Sequence, residues 1–298
     1  MANTKDLQHR IKSIKDTMKI TSAMFLISSA KLKKAKSDLD NTEPYFIKLQ
    51  LTISRLLRHL PEMNHPFFEE HTKDGKKLGL IVISADKGLA GAYNHNVFQL
   101  AQQEMDANPQ TVVFVLGELG RQYFERKGIT IDTQFHYTVQ NPTMSRARRI
   151  ADHMITLFLS HELDEIHIIY TRLVNAVTTE AVMVPLLPLK RVDFHGPMTS
   201  GILLEELVLL PSPEAVMDSI VMNYITGFIY GALVLSYCSE QNSRMIAMEG
   251  ATKSAKKMLA ELSLLYSRMR QAAITQEITE VVGGAKALKR KKQQQEGR

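Results

Sequence analysis

Apolar residues at the start of the chain recur in steps of four and three: Leu7, Ile11, Ile14, Met18, Thr21, Phe25, Ser28, Leu32, Ala35 and Leu39. That spacing is a coiled-coil seam, and Thr21, Ser28 and Ala35 are small enough to let a partner helix come close. A second seam lies near the other end, at Met245, Met248, Ala255, Leu259, Leu262, Tyr266, Met269 and Ala273, and then shifts to Ile274, Ile278, Val281 and Leu288. Pro211-Ser212-Pro213 marks its start, with Ser212 as N-cap and Pro213 in the first helical position. From Pro213 to Leu288 only glycines oppose a helix, which at ~1.5 Å per residue predicts a rod of roughly 110 Å. Each stripe alone would face water, so the two are expected to pair antiparallel within one chain.

The middle has another pattern. All ten prolines lie between Pro44 and Pro213, so this is where the chain is expected to turn. Leu78–Ser84, Thr111–Leu116, Glu165–Tyr170 and Ala181–Leu187 are short apolar runs that read as buried strands. Val97–Met105, Glu118–Lys127 and Ser145–Ser160 read as helices between them. Strands alternating with helices predict a mainly parallel sheet with helical layers. The expected fold is therefore α/β: a long antiparallel coiled coil of N- and C-terminal helices with an inserted Rossmann-like α/β domain. The boundaries are 1–60 for the N-terminal shaft helix, 76–200 for the α/β domain, 211–288 for the C-terminal shaft helix and 289–298 for a polar, basic tail.

Composition changes this picture little. Apolar residues are 44% and charged residues 23%, ordinary for a globular protein. The net charge of +6 is uneven: residues 1–40 and 286–298 each carry a surplus of five positive charges, leaving the middle near −4. Basic ends imply acidic partners. The first residues are polar, so no secretory signal is expected. Ser219–Cys238 lacks charge and is long enough to span a bilayer, but it runs on into a polar periodic helix and reads as a core helix.

Chemistry is sparse. Ser84–Asn94 sits after a strand and before a helix, where phosphate loops occur, yet it lacks both G-x-G-x-x-G and G-x-x-x-x-G-K-[ST]. Gly88 and Gly91 are equally explained by a tight turn. The histidines, His59, His65, His71, His153 and His161 among them, show no metal-ligand spacing and read as surface or loop residues. Cys238, the single cysteine, reads as a small core residue. Glu69-Glu70 and Glu205-Glu206 lie in polar connectors. Neither a catalytic constellation nor a cofactor or metal site is expected. Lys31, Lys33, Lys34 and Lys36 read as a solvated helix face, since the aromatic residues that stack nucleic-acid bases are missing.

Three runs carry a family resemblance. Arg10–Met24, Ser239–Met248 (Ser-Glu-Gln-Asn-Ser-Arg-Met-Ile-Ala-Met) and Arg270–Ala285, with Arg270-Gln271-Ala272-Ala273-Ile274-Thr275-Gln276-Glu277-Ile278-Thr279-Glu280 at its centre, resemble the gamma subunits of F-type ATP synthases. Asp86–Gly91 and Leu186–Leu189 match looser family features. The resemblance implies a central rotor shaft, itself non-catalytic, that turns with the membrane c-ring and drives the beta catalytic sites through their cycle. It implies alpha, beta and epsilon subunits as partners, no nucleic acid, and a peripheral position on the cytoplasmic face of the bacterial inner membrane. It implies contacts to the alpha/beta ring from Lys19, Met24, Arg244, Arg270, Gln271, Thr275 and Glu277, although Met24 and Thr275 would equally serve the seam. Lys253-Ser254 stand where the family has Asp-Asn. Two other classes stay open on the residues alone. A free-standing coiled-coil scaffold or basic nucleic-acid adaptor would dimerise or bind in a salt-dependent way. An α/β enzyme with helical arms would hold a ligand at Gly88–Gly91.

Overall fold

The computed structural model describes residues 4–60, 63–69, 76–175, 178–194 and 209–296, with side chains from Lys5 to Ala287. His71, Glu70, Glu205-Glu206, the last stretch of the 76–200 segment and the side chains of Leu288 and the basic tail lie outside the described residues. Two helices, α1 (Thr4–His59) and α5 (Pro213–Glu296), flank β1 (Leu78–Ile83), α2 (Tyr93–Ala107), β2 (Thr111–Leu116), α3 (Glu118–Arg126), α4 (Met144–Leu159), β3 (Glu165–Leu173) and β4 (Thr179–Leu187). The chain forms two compact units: residues 26–247, and residues 1–25 together with 248–298.

In the larger unit the sheet order is β2-β1-β3-β4. The first three strands are parallel and β4 closes the edge antiparallel to β3. β1 is buried along its whole length, which is why Leu-Gly-Leu-Ile-Val-Ile is apolar without alternation. Leu80 and Val82 face one side with Val113, Val97, Phe98, Ala101 and Phe124 of β2, α2 and α3. Ile81 and Ile83 face the other, against α4 (Ile150, Met154), α1 (Leu32, Ile53, Leu56) and α5 (Val221, Ile225, Ile229, Leu233). The uncharged stretch 219–238 is thus a core helix. α5 is the one helix among the described residues long and apolar enough to cross a membrane, and Val221, Ile225, Ile229 and Leu233 of that stretch have no exposed surface.

Two details concern how the helices pass Pro44 and meet at Gly227. α1 runs through Pro44, which is exposed; the carbonyl at Asp40, deprived of its helical donor, lies at an exposed position too. Opposite that segment, Gly227 of α5 lies under the Phe46 ring, so close that a Cβ there would sit 1.9 Å from a ring carbon. Only hydrogen fits between them.

In the smaller unit the start of α1 lies antiparallel to the distal part of α5. Gln8 donates to the Tyr266 hydroxyl at 2.6 Å, and the Thr21 and Thr252 hydroxyls are 2.7 Å apart. Leu7, Thr21, Met248 and Ala255 are buried, and Ile11, Ile14, Met18, Leu259, Leu262, Tyr266 and Met269 are half-buried, the expected seams in the expected register. The seam stops at Met269. Ala273, Ile274, Ile278 and Val281, expected to continue it, are exposed. α5 itself continues as helix to Glu296, past the point where the tail was expected to begin.

Candidate functional site

Two places in the chain could do chemistry or meet a partner: the loop after β1, and the exposed end of α5. The loop begins at Ser84, whose hydroxyl donates to the Leu116 carbonyl at 2.8 Å and accepts from the Gly120 amide at 3.0 Å. Asp86 follows. One carboxylate oxygen accepts the Glu118 amide, at the N-terminus of α3, at 3.1 Å. The other accepts the Val139 and Gln140 amides at 3.0 and 3.3 Å, and the Thr138 hydroxyl. Helix N-termini attract anions, and here the chain's own carboxylate holds that position. Asn94 then accepts the Ala85 amide at 2.9 Å and closes the turn into α2. Between them Leu89 adopts a left-handed conformation (φ 65°) and lies exposed. That conformation is unfavourable for a Leu and persists only where its surroundings hold it.

What holds it comes from α5. Arg244 is 7% exposed. Its guanidinium donates to the Lys87 carbonyl at 2.8 Å, to the Gly88 carbonyl at 3.0 and 3.2 Å, and to Glu240 Oε1 at 2.6 Å. Glu240 Oε1 also accepts from Gln241 at 3.3 Å, and Oε2 has no hydrogen-bond partner. Burial raises the Glu240 carboxyl above the usual carboxylate range, against the opposing pull of Arg244. A turn earlier on α5, Ser236 accepts the Thr171 amide at 3.2 Å and Ser239 donates to the Thr171 carbonyl at 3.1 Å. Tyr93 is buried beside them, and burial first, then the Glu240 charge, push its phenol upward.

This cluster sits where α/β sheets hold ligands. β1 leads to β2 on one side, while β3 lies on the other, so the crevice beyond their carboxyl ends is the topological switch point. β3 outruns β1, and Thr171, past the last β1 partner, turns both backbone groups to α5. On the β1/β3 side the chain itself occupies this crevice, through the bonds of Ser236, Ser239 and Arg244; on the β2 side a cavity of about 320 Å³ remains, lined by Asp86, Gly117, Glu118, Arg121, His136 and Thr138.

The expected contact residues separate accordingly. Lys19 is exposed, 3.3 Å from Asp16. Met24 is half-buried. Arg270, Gln271, Thr275 and Glu277 are all exposed, as is every described side chain from Arg270 to Ala287. The Thr275 hydroxyl donates back to the Gln271 carbonyl at 2.9 Å and packs on no seam. Arg244 differs: its donors are committed within the chain. Glu240, Ser236, Ser239, Tyr93 and Thr171 were not singled out in the sequence. The available signal was the run Ser-Glu-Gln-Asn-Ser-Arg interrupting an apolar helix, since charged residues there need buried partners.

The other candidates have structural roles. His65, expected in a loop, is in one but buried, accepting the Phe67 amide and facing Asp218 at 3.2 Å. Cys238 is 1% exposed, and burial pushes its thiol up to about 11. Among the described residues no three His, Cys, Asp or Glu side chains stand together as metal ligands.

Comparison with known proteins agrees across the chain. The family described as ATP synthase matches residues 3–288. The ATP synthase gamma chain of Ruminiclostridium cellulolyticum is 43% identical over 290 residues, spanning 96% of this chain and 99% of its own. That of Acetivibrio thermocellus is 41% identical over 295 residues, spanning 97% and 100%. Among solved structures, a chain of the Euglena gracilis mitochondrial ATP synthase (OSCP/F1/c-ring, rotational state 3) superposes with a TM-score of 0.66 at 16% identity, over 96% of this chain and 94% of that one. A chain of the Tetrahymena thermophila mitochondrial ATP synthase central stalk and c-ring gives 0.58 at 23% identity, over 78% and 99%. At these identities the structural likeness speaks for the fold.

Proposed function

The chain belongs to the ATP synthase gamma chain family, and from that membership we propose that it is the central rotor shaft of a bacterial F-type ATP synthase, carrying no catalytic site of its own. It is a subunit of a membrane-associated ATP synthase. In this reading the alpha/beta ring surrounds the end of α5, the c-ring and epsilon subunit engage the chain nearer the membrane, and the assembly lies on the cytoplasmic face.

The single observation that carries the reading is the end of α5. From Arg270 to Ala287 a helix of five turns exposes every side chain, with Ile274, Ile278, Val281 and Val282 among them. In proteins most helical stability comes from packing of an apolar face, and the apolar residues of this stretch pack on nothing among the described residues. A sleeve of other subunits supplies that packing. Arg270, Gln271, Thr275 and Glu277 are then its polar contacts, joined by Lys19 and Met24 from α1. Arg is suited to such a place because its guanidinium can grip a carboxylate with two parallel bonds. Arg244, bonded to the Lys87 and Gly88 carbonyls on the inner side of the Gly88–Gly91 turn, favours a non-catalytic role over an α/β enzyme with its ligand there.

The test is co-purification of the tagged chain from its native membranes, with subunit identification and an ATPase assay. Recovery of alpha and beta subunits, with coupled turnover lowered by Arg270→Ala plus Gln271→Ala, is the expected result. Recovery of the chain alone, as a dimer, or with nucleic acid would overturn the proposal.

A further inference from the structure

We propose that Arg244 is a positioning residue: held by Glu240, its guanidinium fixes the Lys87 and Gly88 carbonyls, so that the loop from Asp86 to Gly91 presents Lys87 and Leu89 in a single conformation. It acts on rotary coupling through that loop and touches no partner itself. This rests on the rotor reading for its functional half and on geometry alone for its structural half.

Four observations converge. First, the guanidinium is almost fully buried and its bonds run to two consecutive carbonyls and one carboxylate. Backbone carbonyls in an exposed loop are normally satisfied by water. Recruiting a buried cation from a distant helix fixes these two in place. Second, Glu240 lies one turn before Arg244 on the same helix, 2.6 Å away, so the pair is preset by helix geometry before the loop arrives. Third, the loop holds a non-glycine residue in the left-handed region at Leu89, immediately after the clamped carbonyls. Left free, it would relax toward an ordinary conformation. Fourth, the outer side of the same loop is exposed at Lys87, Gly88 and Leu89. A large apolar side chain held out into water by buried machinery on its inner side is built for presentation. On the other flank, Asp86 fixes the loop's start through its bonds to the Glu118, Val139 and Gln140 amides. The clamp therefore acts on one segment, between two fixed ends, Asp86 and the Ala85–Asn94 bond.

Lysine in place of Arg244 would keep the charge beside Glu240. Its single ammonium cannot reach Glu240 and both carbonyls in the fork geometry that guanidinium provides. Charge compensation and loop fixing can therefore be separated.

The loop carries its own reporter, because the Lys87–Gly88 bond is a trypsin site whose carbonyl Arg244 holds. Proteolysis requires that carbonyl to leave its partners. The experiment measures trypsin cleavage at Lys87–Gly88 in the full purified chain, normalised to cleavage after Lys127, for wild type, Arg244→Gln, Arg244→Lys and Glu240→Gln. Melting temperature is followed in parallel. In membranes holding the assembled complex, ATP-driven ion pumping per ATP hydrolysed is measured for the same variants. The expected result is cleavage at Lys87 faster by about tenfold or more in Arg244→Gln. Arg244→Lys should also be faster, with a melting temperature close to the wild type's. Both should pump fewer ions per ATP with subunit composition unchanged. Unchanged cleavage in Arg244→Lys and Arg244→Gln would overturn the clamp. Faster cleavage with wild-type pumping would overturn its role in coupling. Failure of the wild-type chain to enter the complex would sink the rotor reading and leave the proteolysis result standing.

Discussion

Replacing Asp86 isolates the stability of the loop that follows β1. Its carboxylate serves four donors: the Glu118 amide on one oxygen, and the Val139 and Gln140 amides with the Thr138 hydroxyl on the other. A hydrogen bond to a charged group contributes about 1.5–3 kcal/mol, and the anion at the start of α3 adds roughly 0.3–1 kcal/mol through the helix dipole. Asp86 is half-buried, so water recovers part of what is lost. Asp86→Ala should therefore cost about 3–5 kcal/mol rather than the full sum. Asp86→Asn can keep its oxygen toward Val139, Gln140 and Thr138 while its amide group faces the Glu118 amide. Its cost should be about 1.5–3 kcal/mol, roughly half. At some 2–4 °C per kcal/mol for a chain of this size, calorimetry of the full chain should show melting lowered by about 6–20 °C for Ala and about half that for Asn. Added formate, placing a carboxylate back at the vacated helix start, should restore part of the loss in Ala and little in wild type. Equal losses in Asn and Ala, or a loss within a degree of zero in Ala, would refute this account of the loop.

Gly227→Ala should destabilise the larger unit by about 1–3 kcal/mol, because the new methyl meets the Phe46 ring at 1.9–2.0 Å. Adding Phe46→Ala to that variant should cost less than the sum of the two single losses, and denaturant midpoints of the two singles and the double decide it; additive losses would show that the loss at Gly227 does not come from the ring. Cys238, buried and with its thiol pushed up to about 11, should resist thiol reagents near neutral pH until the chain unfolds. Since its folded pKa exceeds its ordinary 9.0, the protonated thiol is the form the fold favours, so its contribution is complete below about pH 9 and is lost as pH rises toward 11. Burial raises Tyr170, Tyr224, Tyr230 and Tyr237 in the same sense, so urea midpoints should fall steadily at alkaline pH, and less steeply in Cys238→Ala.

The sequence makes the two seams legible because a heptad states its own partner geometry. Leu7, Thr21, Leu32 and Ala35 are buried where the four-three spacing puts them. The strands are legible for a similar reason: β1 and β2 are apolar runs between turn signals. The end of the seam at Met269 is not legible, because Ile274, Ile278 and Val281 repeat with helical spacing whatever covers them. Periodicity reports that a face is apolar, not which chain supplies the cover. The motif marks Arg244 as a contact residue, and its bond to Lys87, at more than half the chain's length in sequence separation, is visible only in three dimensions. The polar run around Glu240 signals a need for buried partners, but a carboxylate in an apolar helix gives no sign of which groups it faces. Pro44 lies inside the expected 1–60 helix and is tolerated there, since an exposed helix face lets water take the carbonyl the ring displaces.

The side of the crevice filled by α5 has a mechanical reading. Four apolar residues of α5, Val221, Ile225, Ile229 and Leu233, already anchor the helix to the sheet, and apolar surface is roughly non-directional in what it stabilises. Such contacts tolerate small slips along or around a helix axis. Hydrogen bonds do not: Ser236 and Ser239 meet the amide and carbonyl of one residue, Thr171, at 3.2 and 3.1 Å, and a slip breaks both together. The Glu240–Arg244 pair adds a third point of register on the next turn. A buried ion pair is seldom more stable than apolar residues of the same volume, so stability alone is a weak reason for it. Register is a stronger one for a helix that must pass rotation between a sheet-bearing domain and a shaft without slipping. All three points lie within the sheet-bearing unit, so what they fix is the position of α5 on its own sheet.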